Sequence, residues 1–330
     1  MTDTDTHAAQ GTWGDHPLDP KARPGPRTRR DDHRLGVIGT WALACCLAIG
    51  ALPALALDVV ATSPSMGALA RAVAGDRAQV KVLASPDRDL HRLQAKPSMM
   101  RDLRGAELVV ALGAELESGW LPAAISNAAN PKVLPGQPGY FEAAAQVTLL
   151  DAGGPADRSR GDVHPVGNPH LDLDPVRMAQ VAQALAERLA LIDSPGAGDY
   201  RRRAQSFADQ VDQRMPGWSR RLAGAPGVVL YHRDAIYLLE RFGVPLLGTI
   251  EPVPGVPPTG RQLSDLAAGL KGRSGVILYA PYQSPQAPQV LSRELAWPAK
   301  QLPLEPPADA DGPGYLSHID RWVDALALGS

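Results

Sequence analysis

The sequence predicts an α/β protein in which two doubly wound βα lobes are joined by a long linker helix. Short apolar runs rich in valine and leucine, typical of buried strands in parallel sheets, alternate with helical stretches in both halves of the chain. Between the halves, residues 198 to 222 carry apolar side chains at three- and four-residue spacing with charges between them, which indicates one long helix. Open sheets bind ligands beyond the carboxyl ends of their strands, so we expect the binding site in the cleft between the lobes.

The first lobe is expected over residues 57 to 195. Its first three strands are predicted in "LDVVA", "VKVLAS" and "AELVVALG", with one helix after the first strand and another from about Pro97. Helical and strand segments continue through "KVLPG" and "VTLLD", and "VRMAQVAQALAERLALID" is predicted to be an amphipathic helix. This alternation is typical of a doubly wound half.

The linker helix is expected over residues 196 to 223, and the second lobe over 224 to 330. The predicted strands of this lobe are "GVVLYH", "VPLLGTI", "GVILYA" and a last short "QLPL". Its predicted helices are "RDAIYLLERFG", "TGRQLSDLAAGLKG" and a final "YLSHIDRWVDALAL". The alternation of strands and helices therefore restarts after the linker.

The first 56 residues differ from the rest and predict an export signal. A polar stretch with a basic end is followed by an uncharged apolar run from Leu35 to Ala56 that ends in "ALA". This pattern is typical of a secretory signal peptide, so we expect cleavage after Ala56 and a periplasmic location. An uncleaved membrane anchor is the alternative, because a helix of about 20 apolar residues can span a bilayer.

Composition restricts the kinds of partner and site. The formal net charge is −2, with 33 basic and 35 acidic residues, which gives no support to binding of nucleic acid or of an anionic membrane. Both cysteines, Cys45 and Cys46, lie in the apolar run; a lipobox reading of "ALAC" is weakened by Ala42, where leucine is usual. After cleavage, a metal site could be built only from histidines and carboxylates.

Five histidines follow the apolar run, namely His91, His164, His170, His232 and His318. His91, His170 and His232 stand just after a strand or where a loop enters a helix, which is where open α/β sheets present ligand groups. Glu305 follows the last predicted strand and could add a carboxylate. Three imidazoles and one carboxylate suit Zn²⁺, whereas Mn²⁺ prefers more oxygen ligands.

Other polar side chains near these positions have simpler interpretations. His164 is interpreted as a solvated loop residue, with a subsidiary role at the metal site as the alternative, and His318 as a structural residue of the last helix. Asp172 could orient an imidazole through its distal N–H or be solvated. Asp174, directly before Pro175, is predicted to cap the helix that follows.

Three further acidic residues lie near the predicted ligands. Glu251 follows a predicted strand and is the reserve candidate for the carboxylate. Glu115 and Glu117 are interpreted as exposed acids at the start of a helix. Glu305 is preferred to all three.

Five segments of the chain carry a family resemblance. They are "VVATSPSMGALARAVAGDRAQVKVL", "LHRLQAKPSMMRDLRGAELVVALGAELESGWL", "GNPHLDLDP", "VVLYHRDAIYLLERFGV" and "EPVPGVPPTGRQLSDL". In this order they resemble the cluster A-I (zinc/manganese) solute-binding proteins of bacterial ABC importers, over residues 57 to 329. Leu90 departs from the family pattern, which has proline before the first histidine, and Asp172 stands where an aromatic residue is common.

The resemblance implies that His91, His170 and His232 bind a divalent metal and that Glu305 is the fourth ligand. A histidine at position 232, where other members have an acid, favours Zn²⁺ as the cargo, with Mn²⁺ as the alternative. The implied function is capture of the metal outside the cytoplasm and its delivery to an ABC permease of the inner membrane. A protein of this kind is expected to be a monomer and not an enzyme.

Two other functions compete with metal capture. A zinc hydrolase would need an open coordination position and a base beside the bound water, and the sequence contains no H-E-x-x-H pair. A surface adhesin is the other alternative, since relatives have been given that name, but no residue here identifies a host partner. Metal capture is therefore the leading hypothesis.

Overall fold

The structure is a computed structural model that describes residues 56–153, 164–253 and 255–328, all within one compact unit that spans 54 to 330. Two four-stranded parallel sheets with surrounding helices form this unit, which confirms the predicted two-lobed α/β fold. Apart from Ala56, the predicted signal peptide and its two cysteines lie outside the described residues. Within the described ranges, no helix combines the length and apolar character that a membrane span requires.

The first sheet belongs to the first half of the chain. Its strands are β1 (Leu57–Ala61), β2 (Ala78–Val82), β3 (Leu108–Ala111) and β4 (Tyr140–Glu142). They are all parallel and lie in the order β2-β1-β3-β4, with Val60 of β1 between Lys81 of β2 and Val109 of β3. The chain therefore places β2 and β3 on opposite sides of β1, and this reversal opens a crevice beyond the carboxyl ends of β1 and β3.

The second sheet repeats this arrangement. Its strands are β5 (Val228–Leu230), β6 (Leu246–Thr249), β7 (Val276–Tyr279) and β8 (Ala299–Gln301). They are parallel and lie in the order β6-β5-β7-β8. A second crevice therefore opens beyond the carboxyl ends of β5 and β7.

Helices cover both sheets. They are α1 (Pro64–Ala74), α2 (Pro97–Gly105), α3 (Leu121–Ala128), α4 (Pro175–Ile192), α5 (Ala197–Leu222), α6 (Ile236–Phe242), α7 (Gly260–Leu270), α8 (Gln286–Leu295) and α9 (Gly312–Ala327). Asp174 caps α4 as predicted, because its side chain accepts a hydrogen bond from the backbone N–H of Val176. Thr259 and Gln262 form a reciprocal capping box at the start of α7.

The apolar core lies on both faces of the first sheet. Val59 of β1 shares one cluster with Leu69 of α1, whereas its neighbour Val60 shares a cluster on the other face with Leu103 of α2. Both valines are only 1% exposed. Burial on both faces explains why this strand is a continuous apolar run and not an alternating one.

The linker helix α5 contains 26 residues, a length of about 39 Å at 1.5 Å per residue. Its buried side chains recur at helical spacing and include Tyr200, Ala204, Phe207, Val211 and Trp218. Its charged residues lie between them, as the sequence pattern predicts. Near its end, the indole N–H of Trp218 donates to Asp320 of α9 over 2.7 Å.

The last helix returns from the second sheet to the first lobe. The hydroxyl of Tyr315 in α9 donates to the backbone carbonyl of Asp172 over 2.7 Å, and its ring lies 5.8 Å from that of Phe207 in α5. Just before α9, the carbonyls of Ala308 and Ala310 accept hydrogen bonds from Arg71 of α1. The end of the chain therefore joins the two lobes a second time.

Three elements differ from the sequence prediction. The fourth strand is Tyr140–Glu142, which falls between "KVLPG" and "VTLLD", and β8 overlaps "QLPL" only at Gln301. Helix α8, Gln286–Leu295, was not predicted. β4 and β8 are only three residues long, which is too short for a recognisable sequence pattern. Helix α8 starts in a proline-rich stretch, which is compatible with a helix because Pro288 lies in the first turn.

His318 of α9 is buried away from His91, His164, His170 and His232, and it provides a test of pH-dependent stability. It is 1% exposed, Nε2 lies 2.9 Å from the carbonyl oxygen of Leu304, and Nδ1 faces Arg321. Burial lowers the pKa of His318 to about 4, below the usual histidine value of about 6.5. Because the unfolded chain binds a proton at a higher pH than the folded one, the free energy of unfolding falls as the pH drops from about 6.5 to 4.

We expect the His318→Gln variant, which retains an N–H donor, to lose this dependence. At about pH 5 the wild type should have lost about 2 kcal/mol through His318 that the variant keeps. Urea unfolding of both proteins at neutral pH and at about pH 5 measures the difference. Equal changes in both proteins would contradict the assignment.

Candidate metal centre

A cleft with side chains from both lobes lies beyond the carboxyl ends of the strands. Its larger cavity, of about 600 Å³, is lined by Asp89 and His91 from the first lobe and by His232 and Asp234 from the second. A much smaller cavity adjoins it and is lined by His91 and Asp234 together with His170, Asp172 and Glu305, among others. The residues predicted to bind metal therefore meet in one place.

His91 is held by the acid two residues before it. It lies in a short 3₁₀ turn, Leu90–Arg92, where a carboxylate oxygen of Asp89 accepts from the His91 backbone N–H and lies 2.9 Å from its Nδ1. Burial alone would raise the pKa of Asp89, but the hydrogen bonds from His91 outweigh it and the pKa is lowered. Nδ1 thus carries the proton, and Nε2 presents its lone pair to the cleft.

His164 lies beside His91 and His170, with ring centres 5.2 and 6.5 Å away, against the expectation of a solvated loop residue. Its Nδ1 lies 3.2 Å from the carbonyl oxygen of Ala114, and its Nε2 lies 3.1 Å from Nε2 of His91. Since a carbonyl only accepts, Nδ1 of His164 is the protonated nitrogen. Two lone pairs then face each other at nearly the ~3.3 Å that separates two ligands of one tetrahedral Zn²⁺.

His170 is buried and lines the small cavity. Its backbone N–H donates to the side chain of Asn168, which fixes the turn before α4. Burial lowers the pKa of His170 well below its usual value, although the nearby Asp234 acts in the opposite direction. Its Nε2 is buried and makes no hydrogen bond within the part of the chain that the structure describes. A buried lone pair without a donor suits a bound cation.

His232 completes the group from the second lobe, two residues after β5. Its ring centre lies 5.9 Å from that of His91 and 5.7 Å from that of His170, and the His91 and His170 ring centres are 5.2 Å apart. His170, His232 and Asp234 each offer one donor atom, and these three atoms all lie within 4.8 Å of one another. Imidazoles from three distant parts of the chain therefore converge.

Sequence reasoning missed Asp234. Its Oδ1 lies 2.8 Å from Nδ1 of His232 and 3.7 Å from Nε2 of His170. Burial would raise the pKa of Asp234, but the neighbouring histidines lower it to about 2, so it is an anion. The signal available in the sequence was an acid two residues after a candidate ligand in "YHRDA".

Glu305 lines the small cavity, but its carboxylate makes contacts away from the histidines. Its Oε2 accepts a hydrogen bond from the backbone N–H of Ser65, in the first turn of α1, over 2.7 Å. The hydroxyl of Ser65 donates to Asp172 over 2.8 Å, so Asp172 does not need an imidazole as its partner. Burial raises the pKa of Glu305, and the nearby Asp172 raises it further. Burial also raises the pKa of Asp172, with smaller contributions from Asp234 and Glu117.

The remaining acids differ in their surroundings. Glu115 is exposed as predicted, although it lies in a turn and not at the start of a helix. Glu251 lines the large cavity, where it accepts a hydrogen bond from the backbone N–H of Gly255. Glu117 was expected to be exposed, but only 3% of it is. It accepts from the Thr62 hydroxyl and from the backbone N–H groups of Leu112 and Gly113, so it connects the loops after β1 and β3.

The chain matches a family of zinc-uptake proteins over most of its length. The sequence model described as "ZnuA: Zinc-uptake complex component A periplasmic" matches residues 59–329. The zinc-binding lipoprotein AdcA of Streptococcus pneumoniae is 22% identical over 281 residues, which cover 82% of this chain and 55% of AdcA. The high-affinity zinc uptake system protein ZnuA of Paracoccus denitrificans is 28% identical over 242 residues, 61% of this chain and 69% of that protein. This chain thus spans about half the length of AdcA.

Solved structures share the fold. A ZnuA deletion mutant with zinc bound superposes with a TM-score of 0.69 at 19% identity, covering 83% of this chain and 98% of that one. FpvC from Pseudomonas aeruginosa in complex with Mn²⁺ also gives 0.69, at 24% identity, covering 82% and 97%. These likenesses extend across both lobes.

Proposed function

The chain belongs to the family of the periplasmic zinc-uptake complex component A, and on that basis we propose that it captures Zn²⁺ outside the cytoplasm and delivers it to an ABC permease. This family consists of zinc-uptake components and not of hydrolases, so zinc is treated as cargo and not as the centre of an enzyme. The permease partner and the monomeric state are parts of the proposal.

The convergence of imidazoles in the inter-lobe cleft carries the proposal. His91, His170 and His232 are proposed as ligands, since their rings come within 5.9 Å of one another although they are far apart in the sequence. Glu305 is the carboxylate that the resemblance implies, and it lines the small cavity with two of these histidines. His164 is proposed as a subsidiary ligand, because its Nε2 faces that of His91.

The donor set favours zinc over manganese. Imidazole nitrogen suits Zn²⁺, which accepts tetrahedral coordination, whereas Mn²⁺ prefers carboxylates, carbonyls and water in larger numbers. The FpvC structures with Mn²⁺ and Ni²⁺ show that proteins of this fold also hold other divalent metals. Mn²⁺ is therefore the alternative cargo.

Release of the metal must work with the two connections between the lobes. Helix α5 and the returning helix α9 restrict a wide hinge opening. We propose that small lobe shifts or loop rearrangements separate the histidines instead.

The proposed division of the chain is a signal peptide at 1 to 56, lobes at 57 to 195 and 224 to 330, and a linker at 196 to 223.

Competitive metal titration of the purified metal-free chain tests the proposal. We expect one Zn²⁺ per chain and a zinc affinity well above that for Mn²⁺, because the donors are mainly nitrogen. Isothermal titration with each metal, and zinc competition against a chromophoric chelator, measure both quantities. Tighter binding of Mn²⁺ would favour the alternative cargo, and binding of neither metal would contradict the proposed function.

A further inference from the structure

We infer that Asp234, and not Glu305, is the carboxylate ligand of the metal, so that the ion is held by His91, His170, His232 and Asp234. The inference rests on the proposed function, since it concerns the same site. It assigns a direct role to a side chain that neither the motifs nor the family resemblance pointed to.

The position of the Asp234 carboxylate relative to the imidazoles supports ligation. Two donor atoms bound to one tetrahedral Zn²⁺ lie ~3.3 Å apart. Oδ1 of Asp234 lies 2.8 Å from Nδ1 of His232 and 3.7 Å from Nε2 of His170, on either side of that value. Asp234 also lines both cavities, so its carboxylate stands where the large cavity meets the small one.

The charged groups around Asp234 also favour a bound cation. The Asp234 side chain is only 9% exposed, and its ion-pair partners in the described part of the chain are His170 and His232, with no lysine or arginine. The adjacent Arg233 pairs with Asp151 instead. Because an imidazole nitrogen must give up its proton to bind a metal, a bound cation would then balance the buried charge of Asp234.

Glu305 already has a different function in the fold. Its carboxylate accepts the Ser65 backbone N–H in the first turn of α1, one of the amide groups that have no partner within the helix. The same Ser65 connects to Asp172 through its hydroxyl. Glu305 thus ties the segment after β8 to the first lobe, and this contact accounts for its burial without a metal.

Ligation by Asp234 also divides the site evenly between the lobes. His91 and His170 come from the first lobe, whereas His232 and Asp234 come from one turn of the second lobe. Asp234 together with Asp89, which holds His91, supplies two negative charges that balance Zn²⁺. A small displacement of one lobe would separate the ligands into two pairs, which links this assignment to the proposed release.

The test compares Asp234→Asn with Glu305→Gln, a matched change of carboxylate to amide in the same cavity. Zinc affinity of the full-length chain is measured against a chromophoric chelator, and the visible absorption bands of its Co²⁺ form report ligand identity. We expect Asp234→Asn to weaken zinc binding more than about 100-fold, beyond the range typical of residues that only orient a ligand, and to shift the Co²⁺ bands. Glu305→Gln should leave the bands in place.

Several outcomes would overturn the assignment. Shifted bands in Glu305→Gln but not in Asp234→Asn would identify Glu305 as the ligand. Weaker zinc binding by Asp234→Asn with unchanged bands would show that Asp234 only orients His232. Asp234→Ser and the unfolding temperature of each metal-free variant serve as checks, since loss of folding in both Asp234 variants would make the residue structural. Binding of no metal by the wild type would overturn the proposed function as well.

Discussion

Replacement of His170 by alanine is expected to reduce zinc affinity by about 100- to 1,000-fold. Structural zinc sites have binding free energies of about 10–16 kcal/mol, or about 3 kcal/mol for each of four ligands, and each 1.4 kcal/mol is a factor of ten. His170 is the most informative choice because its buried Nε2 makes no other hydrogen bond among the described residues. Competition with a chromophoric chelator measures the loss.

His318→Gln is the matched control for this experiment. It changes a histidine that is buried, like His170, but is hydrogen-bonded to Leu304 and lies outside the cluster. Zinc affinity should be the same as in the wild type. If His170→Ala kept the affinity of the wild type, His170 would not be a ligand, and the convergence of imidazoles would need another explanation.

Replacement of Asp174 by alanine is expected to cause the largest loss of stability, about 3–5 kcal/mol. The Asp174 side chain is fully buried, caps α4, and accepts from Arg177 in α4 and from both Nε and Nη2 of Arg241 in α6. Its removal leaves two partly buried guanidinium groups without their buried anion, and Arg177 keeps only the exposed Glu240, at 3.7 Å. For a domain of this size the melting temperature should fall by about 10 °C, as scanning calorimetry of the metal-free protein can measure.

Two comparison variants separate the contributions of Asp174. Asp174→Asn keeps an oxygen for the cap but removes the charge. Its free energy of unfolding should therefore be about 1 kcal/mol higher than that of Asp174→Ala. Asp265→Ala removes an exposed acid that lies 3.8 Å from Arg261, and a surface pair of that kind contributes about 0–1 kcal/mol. Similar melting temperatures for Asp174→Ala and Asp265→Ala would refute the role of the buried ion pairs.

The fold could be predicted from the sequence where local pattern and burial agree. β1 and β3 are buried on both faces, and α5 has one apolar side, so each appears in the sequence as a continuous run or a helical period. β4 and β8 could not be found in this way, because three-residue strands are defined by pairing with a neighbour and not by their own pattern.

The histidines could be predicted from their positions after strands, but the acids could not. Glu117 lies in a segment whose other acid, Glu115, is exposed, and only the approach of the loops after β1 and β3 gives it three hydrogen-bond donors. Likewise, only the folded turn between β5 and α6 directs Arg233 to Asp151 and Asp234 to the histidines. The carboxylate contacts are set by tertiary structure, which no local spacing reveals.

The return of α9 to the first lobe also determines the order in which the protein can become compact. Arg71 of α1 finds its carbonyl partners at Ala308 and Ala310, about 240 residues further along, and Ser65 finds Glu305. During synthesis these partners of α1 emerge from the ribosome long after α1 itself. The first helix is therefore fully covered only once the segment that precedes α9 has been made.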